Sequence, residues 1–276
     1  MSLAEPSRAE RPIGVFDSGV GGLTVLHECL VSLPEENFLY IGDNGHFPYG
    51  TKTEAELQDR ARAIVGYLID RDVKLIVVAC NSATAAAGPL VHELAEAEGI
   101  PVLTVIYPEA EIASAITYNG KVGVLATPAT VASGAYRRAL DSQGRLLTVT
   151  EVAAPDLAPM IQNDLSFDDE LINAVRGYAA PLHEAGVDTL ILGCTHYPLI
   201  APAIQRILGR DVRLVTAGHA IAGAIQRELA STDSLNPGPG EGEYSFLVTG
   251  DVEAFVEDGA RFLQLPLSGR VQKTGV

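Results

Sequence analysis

Two cysteines occupy matching places in this chain. Cys80 ends the β-type run KLIVVAC, and Cys194 ends a second apolar run, TLILGC, about one domain's length later. Ligands bind at the carboxyl ends of the strands in an open α/β sheet, so a thiol at such an end is placed for chemistry. A single free cysteine more often serves as a small buried hydrophobe. The matched positions of the two favour the chemical interpretation.

Two thiols on either side of a bound molecule could invert a stereocentre. One thiolate would take a proton from carbon, and the other thiol would return a proton to the opposite face. A free thiol has a pKa of about 8.5, so each cysteine could act as base or as acid. The helices predicted to follow both cysteines would favour the thiolate through their N-terminal dipoles.

Two polar neighbours could exchange protons with these thiols. His196 lies two residues beyond Cys194, and Asp17 ends the first predicted strand. Asp17 could support Cys80 if the strands that end at these two residues are adjacent. The simpler alternatives are that Asp17 caps the following helix and that His196 only packs.

A glycine-rich segment, DSGVGG, follows the first strand at residues 17–22 and precedes a helix predicted over about 23–33. Glycines at such a junction let the backbone approach a ligand and aim free N–H groups at an anion. They could equally make a tight turn. The spacing is neither GxGxxG nor GxxxxGK[ST], so it indicates neither a dinucleotide site nor a P-loop.

The elements that position these residues alternate between strands and helices. Apolar runs predict strands at 13–16, 38–42, 74–80, 102–106, 121–126, 147–152, 189–192, 212–215 and 244–248. Helix-length connections between strands are typical of parallel sheets. We therefore expect an α/β fold of two αβα sandwich lobes with mainly parallel sheets and an active site in the cleft between them.

The order of elements predicts that the second lobe is inserted into the first. Lobe one is expected to comprise residues 12–106 plus 219–276 and to carry Asp17 and Cys80. Lobe two is expected to comprise residues 107–218 and to carry Cys194 and His196.

Composition narrows the classes of partner. With 19 Lys and Arg against 35 Asp and Glu, the formal charge is −16, which repels nucleic acid and anionic membranes. Three cysteines without a CxxC pair argue against a disulfide framework and against a metal site, and Cys29 is predicted to lie in the core. No apolar run reaches the ~18 residues of a membrane span, and the N-terminal stretch lacks the apolar segment of a secretion signal. We expect a cytoplasmic protein.

Six motifs make the chain resemble the glutamate racemase family: FDSGVGGLTV, YIGDNGHFPYGTK, VACNSATA, GVLATPATVASGAY, GCTHYPL and TGDVEAF. The resemblance runs through nearly the whole chain. It implies L- and D-glutamate interconversion without a cofactor, supply of D-glutamate for peptidoglycan, and often a homodimer. It implies that Cys80 and Cys194 are the alternating base and acid, with Asp17 and His196 as their supports. The implied substrate contacts are Asp17, Ser18, Tyr49, Gly50, Asn81, Ser82, Thr127, Thr130, Thr195 and His196.

The chain departs from the family pattern at three places. Ser82 stands where the family has a threonine, and its hydroxyl is kept. The segment Asn44-Gly45-His46 replaces a Thr-Ala-Arg type loop, and Gln162 replaces a glutamate on the Cys194 side. Glutamine keeps the size of that side chain and loses its charge.

Two alternatives to glutamate racemisation stay open. Within the same class, the substrate could be that of an aspartate or hydantoin racemase, because pocket shape decides side-chain length. In another class, the chain could be a catalytically silent, two-lobed amino-acid-binding protein.

Overall fold

The chain folds into two α/β lobes, each built on a parallel sheet. The structure, a computed structural model, describes residues 7–238 and 240–276, so residues 1–6 of the N-terminal stretch lie outside the described residues. The strands within these ranges are β1 Ile13–Asp17, β2 Phe38–Gly42, β3 Leu75–Val78, β4 Val102–Thr104, β5 Lys121–Ala126, β6 Thr148–Ala153, β7 Thr189–Gly193, β8 Arg213–Val215, β9 Tyr244–Val248 and β10 Val271–Lys273.

Helices cover the faces of both sheets. Those in the described ranges are α1 Leu23–Ser32, α2 Glu54–Ile69, α3 Asn81–Glu96, α4 Ile106–Ile116, α5 Pro128–Ser133, α6 Ala135–Asp141, α7 Leu157–Asn163, α8 Asp169–Ala185, α9 Ala201–Leu208, α10 Ala217–Ser231 and α11 Val252–Leu263. None of the helices in this part of the chain is long and apolar enough to cross a membrane.

The first sheet has six strands in the order β10-β9-β2-β1-β3-β4, and the second has four in the order β6-β5-β7-β8. β1 pairs in parallel with β2 on one side and β3 on the other, and β5 lies between β6 and β7 in the same way. In the first sheet the chain goes from β1 to the neighbour on one side, β2, and then crosses to the neighbour on the other side, β3. The second sheet does the same with β5, β6 and β7. Such a reversal of direction opens a crevice at the carboxyl end of the central strand. The predicted two-sheet α/β class is confirmed.

The first sheet takes strands from both ends of the chain, since β9 pairs with β2 and β10 with β9. The largest cluster of buried side chains includes Val25, Leu157 and Ile221, so it runs across both sheets' helical layers. The exact residue boundaries of the two lobes stay a prediction.

Local sequence signals explain several element ends. Helix α2 begins with a capping box: Thr53 Oγ1 accepts from the Glu56 N–H at 3.3 Å, and Glu56 Oε2 accepts from the Thr53 N–H at 2.8 Å. Helix α3 buries Ala83, Ala87 and Val91 at four-residue spacing, which turns one face of the helix into the core.

Two sequence-based expectations were wrong. The strand predicted at 102–106 ends at Thr104 as β4, and Ile106 already begins α4. Cys194 is followed by the 3-10 segment Tyr197–Ile200 before α9, so an α-helix N-terminus does not adjoin its thiol directly.

Candidate functional site

A small cavity between the lobes is bordered by both candidate thiols. Ten of the twelve predicted site residues border it: Ser18, Tyr49, Gly50, Cys80, Asn81, Ser82, Thr127, Cys194, Thr195 and His196; the cavity is also bordered by Phe47, Pro48 and Ala158. The cavity volume is about 20 Å³, which holds at most about one water molecule. An amino acid can therefore enter only if the lobes or the bordering side chains move.

Cys80 lies at the N-cap of α3, directly after the strand β3. Its Sγ accepts a hydrogen bond from the Ala83 N–H at 3.5 Å. Burial and the neighbouring Asp17 carboxylate raise the pKa of the Cys80 thiol to about 12, against the lowering effect of hydrogen bonds from Ala83 and Ser18. β1 and β3 are adjacent, so Asp17 and Cys80 lie at neighbouring strand ends.

Cys194 follows β7 in the second sheet. Its Sγ lies 3.9 Å from Nδ1 of His196. Burial raises the pKa of the Cys194 thiol well above its ordinary range, and the backbone N–H of His196 only partly offsets this. Both thiols are therefore protonated in this closed arrangement. The sequence had suggested thiols near neutrality, and burial outweighs the helix-dipole effect on which that expectation rested.

His196 is buried between aromatic rings. Phe47 stacks on its imidazole with ring centroids 5.5 Å apart, and Phe262 meets it edge-on at 5.1 Å. Burial lowers the pKa of His196 to about 3, so the ring is neutral. Nε2 lies 3.0 Å from Oε1 of Gln162. Since that amide oxygen only accepts, Nε2 carries the hydrogen, and the lone pair of Nδ1 faces Cys194.

Asp17 lies just behind the cavity and joins the two lobes. It is fully buried at the end of β1, and Oδ1 accepts from the Gly19 N–H at 3.0 Å. Oδ2 accepts from the Thr195 hydroxyl at 3.2 Å. Burial raises the pKa of Asp17, although backbone N–H groups of the glycine-rich turn act in the opposite direction. The backbone N–H groups of the glycine-rich turn therefore bind the carboxyl group of Asp17, which belongs to the protein itself.

Three hydroxyls from the two lobes cluster beside the thiols. Ser82 Oγ lies 3.0 Å from Thr127 Oγ1, and Thr127 Oγ1 lies 3.0 Å from Thr130 Oγ1. Thr130 lies behind the other two and does not border the cavity. Ser82 is in the first turn of α3, and Thr127 caps α5. Hydroxyls at helix starts can donate to a carboxylate without a buried cation.

Tyr49 and Gly50 form the wall that lobe one contributes opposite Thr127. The Tyr49 hydroxyl donates to the carboxylate of Asp43. Asp43 is also bound by Arg60, at 2.8 Å and 3.0 Å. A side chain at Gly50 would lie 2.8 Å from Cβ of Thr127, so only glycine permits this approach of the lobes.

Sequence reasoning missed Glu109 and Tyr136, which lie next to the site. Both contact Asn81, a predicted residue that borders the cavity. Asn81 Nδ2 donates to Glu109 Oε2 at 3.0 Å and to the Tyr136 hydroxyl oxygen at 2.7 Å. Glu109 and Tyr136 are both buried. The signal for Glu109 was a carboxylate at a position where the apolar helix α4 faces the core.

The donor set of the cavity consists of thiols, hydroxyls, amides and one neutral imidazole. In the described part of the chain, no three His, Cys, Asp or Glu side chains are grouped as a metal site. Cys80 comes from the first sheet and Cys194 from the second, and each has its own polar neighbour. This arrangement can remove a proton from a small molecule with one thiol and return one with the other.

Comparison with known proteins shows which family this chain resembles. The family model described as Asp/Glu/Hydantoin racemase matches residues 24–225. Among curated proteins, the chain is similar to a glutamate racemase of Acidothermus cellulolyticus, with 43% identity over 91% of this chain and 95% of the relative.

Two solved structures have the same fold. The glutamate racemase isoform RacE1 from Bacillus anthracis superposes with a TM-score of 0.90 at 36% identity, over 97% of this chain and 98% of the other. The glutamate racemase from Francisella tularensis, solved in complex with D-glutamate, gives a TM-score of 0.87 at 35% identity, over 96% of each chain.

Proposed function

The chain belongs to the Asp/Glu/Hydantoin racemase family and is an isomerase of the amino-acid racemase type, and on this basis we propose that it interconverts L- and D-glutamate with two thiols as acid and base. The observation that carries the proposal is that Cys80 and Cys194, from different sheets, border one cavity. A thiol on each side allows one to take a proton from one face of a carbon and the other to return a proton to the opposite face.

The proposed reaction conserves protons. The thiolate of one cysteine takes the Cα proton and becomes a thiol, which leaves a carbanion. The other thiol then gives its proton to the opposite face of that carbon and becomes a thiolate. After one turnover the two cysteines have exchanged their protonation states, so the enzyme is ready for the opposite enantiomer.

The neighbours of each thiol supply the first deprotonation. His196 Nδ1, which bears a lone pair, faces Cys194 at 3.9 Å and can take its proton. Asp17 lies close enough to affect the pKa of Cys80 and can act on that side. The ammonium group of a bound amino acid would favour either thiolate, because an opposite charge nearby stabilises the ionised form.

Glutamate is the substrate that we propose because the relatives at about 40% identity carry that name. The hydroxyls of Ser82 and Thr127, together with backbone N–H groups, would bind its carboxylates. The remaining predicted contacts, Ser18, Tyr49, Gly50 and Thr195, would surround the rest of the molecule. No step in this scheme uses a cofactor.

Circular dichroism of L-glutamate in deuterated solvent tests the proposal. Wild-type protein should bring the signal to zero and place deuterium at Cα. Cys80→Ala and Cys194→Ala should each lose racemisation by about 1000-fold or more. Cys29→Ala is the matched control, since Cys29 is buried in the core and is not among the residues that border the cavity. Racemisation that survives either cleft substitution contradicts the two-thiol mechanism.

The same assay separates the alternatives. Turnover of aspartate or of a hydantoin in preference to glutamate would move the chain to another substrate of the same family. Glutamate binding by calorimetry without turnover of either enantiomer would favour a silent binding protein.

We further propose, from the family resemblance, that the enzyme works in the cytoplasm as a homodimer and supplies D-glutamate for peptidoglycan. Rescue of a bacterial strain that requires D-glutamate tests the supply role. Light scattering after gel filtration tests the dimer, because a monomer would elute at 29.1 kDa.

A further inference from the structure

Glu109 is a fully buried carboxyl group, and no basic side chain of residues 7–238 and 240–276 pairs with it. It lies on α4 and is held by two neutral partners: Tyr136 donates its hydroxyl to Oε2 at 2.5 Å, and Asn81 donates Nδ2 to the same oxygen at 3.0 Å. The other oxygen, Oε1, is buried and has no hydrogen-bond partner among the described residues. Burial raises the pKa of Glu109 to about 8. Such a group destabilises the fold, which suggests a functional reason for its presence.

The two acceptors of this cluster fix the direction of the Asn81 amide. Tyr136 gives its only hydrogen to Glu109, so its oxygen can only accept from Asn81. Both hydrogens of the Asn81 NH₂ group are therefore used. Oδ1 of Asn81 is buried, has no partner in the part of the chain that the structure describes, and belongs to a residue that borders the cavity. The oxygen is the one amide atom left for a bound molecule.

We propose that Glu109, together with Tyr136, is a positioning residue that holds the Asn81 amide so that its oxygen accepts a hydrogen bond from the ammonium group of the amino-acid substrate. This inference deepens the proposed function and rests on it. The cluster joins Asn81, next to Cys80 in lobe one, to helices that precede and follow β5. It therefore orients a substrate-facing group at the junction of the two lobes.

Reversal of the amide explains why such a lock would be needed. Without Glu109, the Asn81 amide can turn so that its NH₂ group faces the cavity. An NH₂ group cannot accept from an ammonium group, and the two donors would repel each other. Substrate binding should weaken, whereas the two thiols and their neighbours stay in place.

The test compares Glu109→Leu with Glu109→Gln, because glutamine keeps an oxygen acceptor for Asn81 and Tyr136. Glu109→Leu should raise KM for both glutamate enantiomers by roughly tenfold or more, the loss expected for one charge-assisted hydrogen bond, and leave kcat within about threefold. Glu109→Gln should keep KM within about twofold of wild type. Glu111→Leu, on the exposed side of α4, is the matched control.

The outcomes are distinct. An unchanged KM in Glu109→Leu, or an equal rise in Glu109→Gln, overturns the inference in an enzyme that still racemises glutamate. A change in melting temperature without a change in KM indicates a structural role only and also overturns it. If the wild type binds glutamate without turnover, the proposed function fails. The inference is then tested by calorimetric dissociation constants for glutamate of Glu109→Leu, Glu109→Gln and Glu111→Leu. A wild type that does not bind glutamate overturns both.

Discussion

Gln162 holds His196 by a hydrogen bond of 3.0 Å from Nε2 to the amide oxygen Oε1. This bond assigns the hydrogen to Nε2 and turns the unprotonated Nδ1 toward the thiol of Cys194. Arg261 of α11 in turn donates to the backbone carbonyl of Gln162 at 2.9 Å, so an exposed arginine from the first sheet's helical layer steadies this contact. The glutamine that departs from the family pattern is thus part of the site.

The first prediction concerns Gln162→Glu. A carboxylate at this position stabilises the imidazolium form of His196, which makes the proton of Cys194 easier to remove. We expect kcat/KM to rise by up to about tenfold. Gln162→Leu, which offers no acceptor, should lower kcat/KM. It should raise the Cα-deuterium isotope effect for the enantiomer whose proton Cys194 removes, and lower it for the other. Equal isotope effects in both directions would contradict this role.

The second prediction concerns Gly21→Ala. A Cβ at Gly21 would lie 2.4 Å from Thr195 Oγ1 and 2.5 Å from the His196 ring. The ring cannot yield without losing its place beside Cys194, so we expect activity to fall by about 100-fold and stability by about 1–3 kcal/mol. A Cβ at Gly66, on the exposed face of α2, would meet no described residue within 4 Å outside its own helix turn. The control Gly66→Ala should gain about 0.5–1 kcal/mol and keep full activity.

The positions of the two thiols could be predicted from the sequence because each ends an apolar run that is followed by small polar residues. The adjacency of β1 and β3, which brings Asp17 beside Cys80, follows the usual topology of such sheets. Local signals of this kind do not depend on the rest of the fold. The ten predicted residues that border the cavity all lie in short motifs at strand ends.

Other features depend on contacts that a sequence does not show. Glu109 and Tyr136 reach Asn81 from 28 and 55 residues away, so no local pattern links them. Helix α7 contains Pro159, which favours a turn in sequence reasoning, but the proline lies in the first turn, where its missing N–H costs nothing. The raised pKa values of both thiols come from burial, which spacing alone cannot reveal.

The third prediction concerns Arg60→Met. Arg60 binds the buried carboxylate of Asp43, and the same carboxylate receives the hydroxyls of Tyr49 and Thr249. Removal of the arginine leaves a buried charge without its partner, which should cost about 3–5 kcal/mol in a urea titration. Since Tyr49 borders the cavity, KM for glutamate should rise as well. Arg62→Met, on the exposed face of the same helix, should change neither quantity.

The fourth prediction concerns the pH dependence of stability through Glu109. Its pKa is raised from 4.5 to about 8 in the folded protein. The folded state therefore binds this proton more tightly than the unfolded state, and stability falls as pH rises from about 4.5 to about 8. Glu109→Gln should be more stable than wild type above pH 8, by at most about 5 kcal/mol, and the difference should shrink towards pH 4.5. Melting curves across this range check the sign; a constant difference would contradict it.

The fifth prediction uses the three cysteines to measure opening of the cleft. All three thiols are buried, and burial raises the pKa of Cys29 and Cys80 to about 12. Iodoacetamide should therefore label the folded protein slowly, since it needs an exposed thiolate. Cys80 and Cys194 become accessible when the lobes separate, whereas Cys29 requires unfolding of the core around α1. Mass spectrometry of peptides should thus show Cys80 and Cys194 modified well before Cys29.

Addition of D-glutamate provides a second comparison. A ligand between the lobes should slow the labelling of Cys80 and Cys194, whereas the labelling rate of Cys29 should still depend on unfolding of the core. Urea-unfolded protein is the control, in which all three cysteines should react at similar rates. Equal labelling of the three in folded protein would mean that the cavity opens only by global unfolding. In that case a molecule the size of glutamate could not enter the enclosed site of the folded protein, and entry by lobe movement would be contradicted.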